Sequence, residues 1–170
     1  MIDVSRHGLV LGVSSNDVAP WLRPVVDAGR DAAFVDTGYI RALLDERDDR
    51  NPLVRDFHEG LSASLYTSVL VVAEAARQFA KARGATQDWR WARVDELVAM
   101  LVTEHRMIIC APPKELVERG LASLRDMQRT LVRLDLADLV SVLVLDELRH
   151  RRVLGFDDHL RAMGASLDPS

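Results

Sequence analysis

Acidic side chains follow two apolar segments of this sequence, where they could bind a cation or activate a water molecule. Asp36 comes directly after the run AAFV, and Asp157 comes after RRVLGF near the other end of the chain. Short apolar runs are typical of strands buried on both faces, and open parallel sheets place ligand sites beyond the carboxyl ends of their strands. The pattern predicts that Asp36 and Asp157 lie at one edge of a sheet. The alternative for each is an ordinary helix N-cap, a position that Asp favours.

Two further acids interrupt apolar helical segments close to where those segments begin. Glu74 is the only charged residue in SVLVVAEAA, and Asp138 lies near the start of ADLVSVLVL. A buried lone carboxylate costs several kcal/mol unless it is paired, protonated or bound to a metal. Both acids therefore need a compensating partner, unless they are partly exposed and stabilised by the helix N-terminus, which contributes about 0.3 to 1 kcal/mol.

Convergence of these four acids would create a site for a hard divalent cation. Mutual repulsion would raise some of their pKa values and destabilise the metal-free site. Oxygen ligands favour Mg²⁺ or Mn²⁺ over zinc, and magnesium held by a few acids and waters is typical of phosphate chemistry. The five histidines are dispersed and Cys110 is the only cysteine, so no His and Cys cluster competes as a transition-metal site.

The hydrophobic pattern predicts the elements that would bring these acids together. Strands are predicted at residues 32–36, 64–70, 106–111 and 151–156, with a possible edge strand at 165–168. Helices are predicted at 37–47, 51–63, 71–84, 86–105, 114–131, 137–150 and 157–164, with Asn51 as the cap of the second and Gly84 closing the third. Such alternation implies an α/β fold with a mostly parallel sheet between helices.

Composition places the chain among ordinary single-domain proteins. It has 170 residues, 48% of them apolar and 28% charged, which excludes disordered, collagen-like and disulfide-stapled classes. The longest stretch without a charge, from Gly60 to Ala73, has 14 residues, fewer than the roughly 20 needed to span a membrane. With no visible secretion signal, and with Cys110 in the apolar run MIICA, we expect a cytoplasmic protein in which this cysteine is buried.

Charge leaves the question of nucleic-acid binding open. A net charge of −4 argues weakly against a protein that binds nucleic acid over its whole surface. Nevertheless, all but two of the 22 basic residues are arginines. Arginine is the better bidentate phosphate ligand, although a codon bias of a G+C-rich genome explains the same composition. The first 31 residues, with prolines at 20 and 24, predict an irregular helical extension packed on the domain of residues 32–170.

The acids and their neighbours resemble the motifs of PIN-domain ribonucleases, especially VapC-type toxins of type II toxin-antitoxin systems. FVDTGYIRALLDERD is similar to the opening motif, with Asp36, Thr37 and the later Asp48, and LYTSVLVVAEAA is similar to the second, with Ser68 and Glu74. LDLADLVSVLVLDELRHRRVLGFDDHLRAMG resembles the last two motifs and supplies Asp138, Asp157 and His159. The resemblance covers about residues 32 to 168, and its strength lies in four motifs occurring in order.

This resemblance implies a three-layer α/β/α fold, a Mg²⁺- or Mn²⁺-dependent endoribonuclease, a homodimer and a small antitoxin partner. It implies that Asp36 and Asp138 ligate the metal, that Asp157 does so directly or through water, and that Glu74 orients metal-bound water or helps to activate the nucleophile. Thr37 and Ser68 would hold carboxylates in their coordinating rotamers, with helix capping as the alternative role. His159 is interpreted as structural.

Other interpretations remain open at this point. Gly38 replaces the Ser or Asn common in the family, and its presence also weakens a haloacid-dehalogenase-like phosphatase, which normally has a second Asp there. A housekeeping PIN-domain ribonuclease and a catalytically silent interaction module are the alternative functions. Trp89 and Trp91 could stack on bases, but their place in a long amphipathic helix favours their interpretation as packing residues. The arginines that could contact RNA phosphates, each otherwise a solvated surface charge, are Arg41, Arg47, Arg50, Arg77, Arg149, Arg151 and Arg152.

Overall fold

A computed structural model describes residues 32–103, 107–127, 135–148, 152–162 and 164–169. The predicted extension over residues 1–31 lies outside the described residues. The strands are β1 (Ala32–Val35), β2 (Ser64–Ser68), β3 (Met107–Cys110), β4 (Arg152–Leu154) and β5 (Ser166–Asp168). The helices are α1 (Thr37–Leu44), α2 (Asn51–Glu59), α3 (Val69–Ala80), α4 (Gln87–Val98), α5 (Lys114–Met127), α6 (Leu136–Leu148) and α7 (Asp158–Ala162), with a π-helical segment at Ala99–Thr103 after α4.

The five strands form one sheet in the order β3-β2-β1-β4-β5, and every neighbouring pair is parallel. In the centre of this sheet, Phe34 of β1 lies opposite Tyr66 of β2 on one side and Val153 of β4 on the other. Parallel neighbours require crossover segments, and the helices supply them. The predicted α/β class is confirmed as a three-layer α/β/α arrangement around a short parallel sheet.

The core forms around β1, because this strand is the middle one of the five, with two strands on each side. All four of its residues are buried, and Phe34 packs edge-to-face on Tyr66. Cys110 at the end of β3 is also buried, as predicted, and burial raises the pKa of its thiol to about 12. No helix among the described residues is long and apolar enough to cross a membrane.

Helices α1 to α4 pack on one another, whereas α5 packs chiefly on α6. The approach of α5 and α6 requires a glycine, since a Cβ atom built at Gly120 would lie 2.8 Å from Cγ2 of Val140. Any larger residue at this position would push the two helices apart or displace the buried valine.

Several predicted helix boundaries were wrong, and two of them have clear local reasons. Asn51 is the first residue of α2 and does not cap it; its side-chain amide donates instead to the carbonyl oxygens of Ala42 (2.8 Å) and Leu43 (3.0 Å) at the end of α1. The third helix ends at Ala80, before Gly84, whose positive φ of 69° places it in the turn that follows. Buried Asn51 therefore joins two successive helices.

Candidate active site

The chain reverses its direction of travel across the sheet at β1. It moves from β1 through β2 to β3 and then returns to place β4 on the opposite side of β1. Ligand sites of open parallel sheets lie in the crevice that such a reversal leaves beyond the carboxyl ends of the strands. The backbone N–H of Asp36 donates to the carbonyl oxygen of Leu154 at 2.9 Å, which fixes the end of β1 beside the end of β4.

Asp36 lies in this crevice and is also the N-cap of α1. Its side chain accepts a hydrogen bond from the backbone N–H of Gly38 at 3.2 Å, and only 6% of the residue is exposed. Burial raises the pKa of Asp36 to about 6, opposed by backbone hydrogen bonds from Gly38 and Thr37 and reinforced by repulsion from Glu74 and Asp157. Asp36 therefore caps α1 and also belongs to the group of acids in the crevice.

Gly155 makes room for the Asp36 side chain. A Cβ atom at Gly155 would lie 3.0 Å from the Cβ and 3.4 Å from Oδ2 of Asp36. Sequence reasoning missed this residue, although the signal was present as a glycine directly after β4 and two residues before Asp157. A glycine at the end of a strand often marks a close approach by another group.

Glu74 is held by hydrogen bonds to both of its carboxylate oxygens. The hydroxyl of Thr37 donates to Oε2 at 2.9 Å, and the side-chain amide of Gln78 donates to Oε1 at 2.8 Å. Thr37 is buried, and the i to i+4 spacing of Glu74 and Gln78 places the two on one face of α3. The carboxylate is thus fixed in orientation from two different helices.

Asp138 is the third residue of α6 and forms a reciprocal cap with Asp135. The backbone N–H of Asp135 donates to Oδ2 of Asp138 at 2.9 Å, and the backbone N–H of Asp138 donates to Oδ1 of Asp135 at 3.1 Å. Burial raises the pKa of Asp138 to about 7, opposed by the hydrogen bond from Asp135 and reinforced by repulsion from Asp135, Asp36 and Asp157. This acid therefore combines a structural contact with electrostatic repulsion from Asp36 and Asp157.

Asp157 precedes α7 and is half-buried. Its Oδ1 accepts from the backbone N–H of His159 at 2.8 Å and lies 3.0 Å from Nδ1 of the same residue. His159 thus supports the loop that carries Asp157. Within the described ranges, Oδ2 of Asp157 and Oδ1 of Asp138 accept no hydrogen bond, so each residue keeps one oxygen available for a ligand.

Ser68 has a different environment from the acids. It is the buried N-cap of α3, and its hydroxyl accepts from the backbone N–H of Val71 at 3.2 Å. Among the described residues it forms no hydrogen bond to Asp36 or Glu74. Its hydroxyl explains why α3 begins at Val69, immediately after β2, and so fixes where on the helix Glu74 falls.

The four acids form one electrostatic group. Asp36 is repelled by Glu74 and Asp157, and Asp138 is repelled by Asp36 and Asp157. In the part of the chain that the structure describes, no three His, Cys, Asp or Glu side chains are spaced as ligands of one metal ion. The donor set nevertheless consists of carboxylate oxygens alone, the chemistry that suits Mg²⁺ or Mn²⁺.

Several other predicted residues pair with groups other than these four acids. Asp48 forms an ion pair with Arg41 at 2.7 Å, and Arg152 forms one with Asp168 at 3.0 Å. Arg149 and Arg151 lie outside the described residues. Trp89 packs edge-to-face on Phe79, as interpreted, but Trp91 is 57% exposed, which contradicts its interpretation as a packing residue.

Comparison with known proteins identifies the fold. No family model and no curated protein sequence matches the chain. Among solved structures, the chain is similar to VapC20 of Mycobacterium tuberculosis, a toxin that cleaves the sarcin-ricin loop, with a TM-score of 0.65 and 19% sequence identity. The match covers 79% of this chain and 96% of that one. The resemblance to the VapC-type PIN fold is therefore confirmed as a likeness of structure.

Proposed function

We propose that this chain is a metal-dependent endoribonuclease that hydrolyses RNA phosphodiester bonds as the toxin of a toxin-antitoxin pair. The observation that carries the proposal is the group of four mutually repelling acids, Asp36, Glu74, Asp138 and Asp157, at the reversal point of the sheet. The same fold in an RNA-cleaving toxin supports it. Buried acids with raised pKa values, here Asp36 and Asp138, are frequent in functional sites.

In this proposal, Asp36, Asp138 and Asp157 hold a Mg²⁺ or Mn²⁺ ion. Their carboxylates are hard oxygen ligands, and Asp138 and Asp157 each have an oxygen that no described group occupies. Such an ion, when bound, would lower the pKa of a water molecule and polarise a non-bridging phosphoryl oxygen, so that the water attacks the phosphorus atom as the bond from phosphorus to the leaving oxygen breaks. Since the pKa is raised to about 6 at Asp36 and to about 7 at Asp138, these acids are partly protonated near neutral pH, and binding of the cation is expected to release protons.

Glu74 has a different role from the three ligands. Hydrogen bonds from Thr37 and Gln78 fix its carboxylate, yet each oxygen retains a further lone pair to accept a proton. Glu74 therefore orients the attacking water and accepts its proton. Thr37 and Gln78 are positioning residues, because they act only through Glu74. Ser68 contributes by fixing the start of α3.

The decisive experiment compares RNA cleavage by the wild type with cleavage by Asp36→Asn and Asp138→Asn. Both variants are expected to lose activity, and excess chelator is expected to abolish wild-type cleavage until Mg²⁺ or Mn²⁺ is restored. Asp126→Asn, an exposed acid of α5, is the matched control and should cleave normally. Unchanged wild-type cleavage in excess chelator would refute the metal mechanism.

A second readout is independent of activity. A cation that binds only the folded chain stabilises it, by about 2.7 kcal/mol at a hundredfold excess over Kd. Mn²⁺ should therefore raise the melting temperature of the wild type and of Asp126→Asn, and change that of Asp138→Asn much less. An equal response of all three proteins would place the cation elsewhere.

The proposed partners follow from the toxin assignment. We propose that the chain acts in the cytoplasm as a homodimer and is neutralised by a small antitoxin protein. Expression of the chain alone should slow growth, and co-expression with a neighbouring small gene should yield a stable complex. Normal growth despite soluble, active protein would favour the housekeeping ribonuclease, and soluble protein without metal-dependent cleavage would favour the silent interaction module.

A further inference from the structure

An open cleft of about 700 Å³ lies between the end of α1, residues 45–50 and the end of α3. Its lining is dominated by cationic side chains from these three segments. The cations, which we call the cleft cations, are Arg41, Arg47, Arg50, Arg77, Lys81 and Arg83. Since the whole chain has a net charge of −4, this concentration of positive charge is a local property.

Three carboxylates also line the cleft, and two of them serve to hold arginines. Asp48 accepts from both Nε and Nη2 of Arg41, at 3.2 and 2.7 Å, and Asp45 accepts from Nε and Nη2 of Arg47, at 3.0 and 3.2 Å. The Arg47 guanidinium also stacks on the Trp89 ring at 3.6 Å. These two arginines are pre-oriented, and with Asp49 as the third acid the lining has three more positive than negative charges.

The cations contributed by the end of α3 and the turn beyond it are available to a ligand. Arg77, Lys81 and Arg83 are exposed, and none has a carboxylate partner among the described residues. Arg77 and Lys81 are four residues apart, so they lie on the same face about one helical turn apart. Like charges so placed repel one another unless an anion lies between them.

Two residues of the cleft lining connect it with two of the four acids, Glu74 and Asp157. Gln78 lines it and donates to Oε1 of Glu74 at 2.8 Å. Arg50 also lines the cleft, and its guanidinium lies 4.6 Å from the centre of the Phe156 ring. Phe156 is the residue directly before Asp157. A polymer lying along the cleft would therefore pass close to Glu74 and to the loop that carries Asp157.

We infer that this cleft binds the phosphate backbone of single-stranded RNA and guides it to the four acids, an inference that rests on the proposed ribonuclease function. A run of separated cations along an open groove fits a polyanion better than a single small anion, which needs convergent donors in an enclosed pocket. Arginine supplies planar bidentate donors to phosphate, and backbone contacts position a nucleic acid without reading its sequence.

The test measures RNA binding by a triple variant, Arg77→Ala with Lys81→Ala and Arg83→Ala, in an Asp36→Asn background that leaves the probe uncut. The probe is a fluorescein-labelled single-stranded RNA of mixed sequence, titrated by fluorescence anisotropy at several salt concentrations. The control triple variant, Arg55→Ala with Lys114→Ala and Arg125→Ala, also removes two arginines and one lysine, all exposed and outside the cleft. Melting temperatures check that both triple variants are folded.

The cleft variant should bind the RNA at least about tenfold more weakly than the parent. Its plot of log affinity against log salt should have a slope that is shallower by about 2, because each lost phosphate contact contributes roughly 0.7 to the slope. The control should retain the parent affinity and slope. Equal losses in both variants, or no loss in the cleft variant, would overturn the inference. Cleavage by the wild type with Asp36 intact, measured separately, distinguishes this result from failure of the ribonuclease proposal itself.

Discussion

The hydroxyl of Thr37 donates a hydrogen bond to Oε2 of Glu74 at 2.9 Å, joining the first residue of α1 to the second turn of α3. Thr37 also follows Asp36 directly, so one short segment positions two of the four acids. A displacement of α1 would consequently disturb Asp36 and Glu74 together.

Thr37→Val removes the hydroxyl and keeps the shape of the side chain. We expect RNA cleavage to fall about 10- to 100-fold, the usual effect of losing a group that orients a site carboxylate. Thr37→Ser retains the donor and should keep most of the activity. Initial rates measured at equal melting temperature separate this effect from instability, and equal rates for the valine and serine variants would show that the hydrogen bond is dispensable.

Gly155→Ala should disturb the site by steric contact. The new Cβ would lie 3.0 Å from the Cβ of Asp36, so either the aspartate or the loop must shift, at a cost of roughly 1 to 3 kcal/mol. Both the melting temperature and the cleavage rate are expected to fall. Gly60→Ala, whose nearest neighbouring atom is 3.8 Å away, is the control and should change neither.

The raised pKa values of Asp36 and Asp138 make stability depend on pH in the absence of metal. The unfolded chain loses these protons near pH 4, whereas the folded chain retains them to about pH 6 at Asp36 and about pH 7 at Asp138. Stability that is fully present below pH 4 is therefore lost as the pH rises towards 7. Thermal melts in chelator should give a lower midpoint at pH 8 than at pH 5.

Asp138→Asn is the variant that tests this assignment. The amide oxygen of asparagine can still accept from the backbone N–H of Asp135, but the charge is removed. The variant should melt higher than the wild type at pH 8 in chelator and show a smaller loss between pH 5 and pH 8. A lower midpoint at pH 8 would mean that the carboxylate of Asp138 stabilises the fold.

Asn51→Asp tests the contact between α1 and α2. The substitution replaces two hydrogen bonds to the carbonyls of Ala42 and Leu43 with a buried charge facing those oxygens. We expect the free energy of unfolding to fall by about 1 to 3 kcal/mol. Chemical denaturation provides the measurement, with the exposed control Asp49→Asn expected to change stability by less than about 0.5 kcal/mol.

The sequence predicted the order of strands and helices because burial imposes a strong pattern. The apolar run before Asp36 is buried on both faces, and the edge strand at residues 166–168 lies within its predicted span. Helix ends were predicted less well, since they depend on individual side chains: Ser68 ends β2 by capping α3, and Asn51 bonds backward to α1 rather than capping α2. The local sequence pattern does not show which backbone group such a side chain will bond.

The sequence singled out the four acids, but not the groups that position them. Gln78 donates a hydrogen bond to Glu74, and Gly155 allows the close approach of Asp36. Both interactions depend on three-dimensional packing. Trp91 has the helical spacing of a packing residue yet lies exposed. Helical periodicity defines a face, but it does not reveal which part of that face a neighbouring helix covers.

The return of the chain from β3 to β4 has a consequence for synthesis on the ribosome. Asp36 and Glu74 leave the exit tunnel well before Asp138 and Asp157, and β1 gains its neighbour β4 only after residue 154 has emerged. A nascent chain contains all four acids only after Asp157 has been added. A growing polypeptide therefore cannot assemble the complete proposed nuclease site before the segment that carries Asp157 has been synthesised.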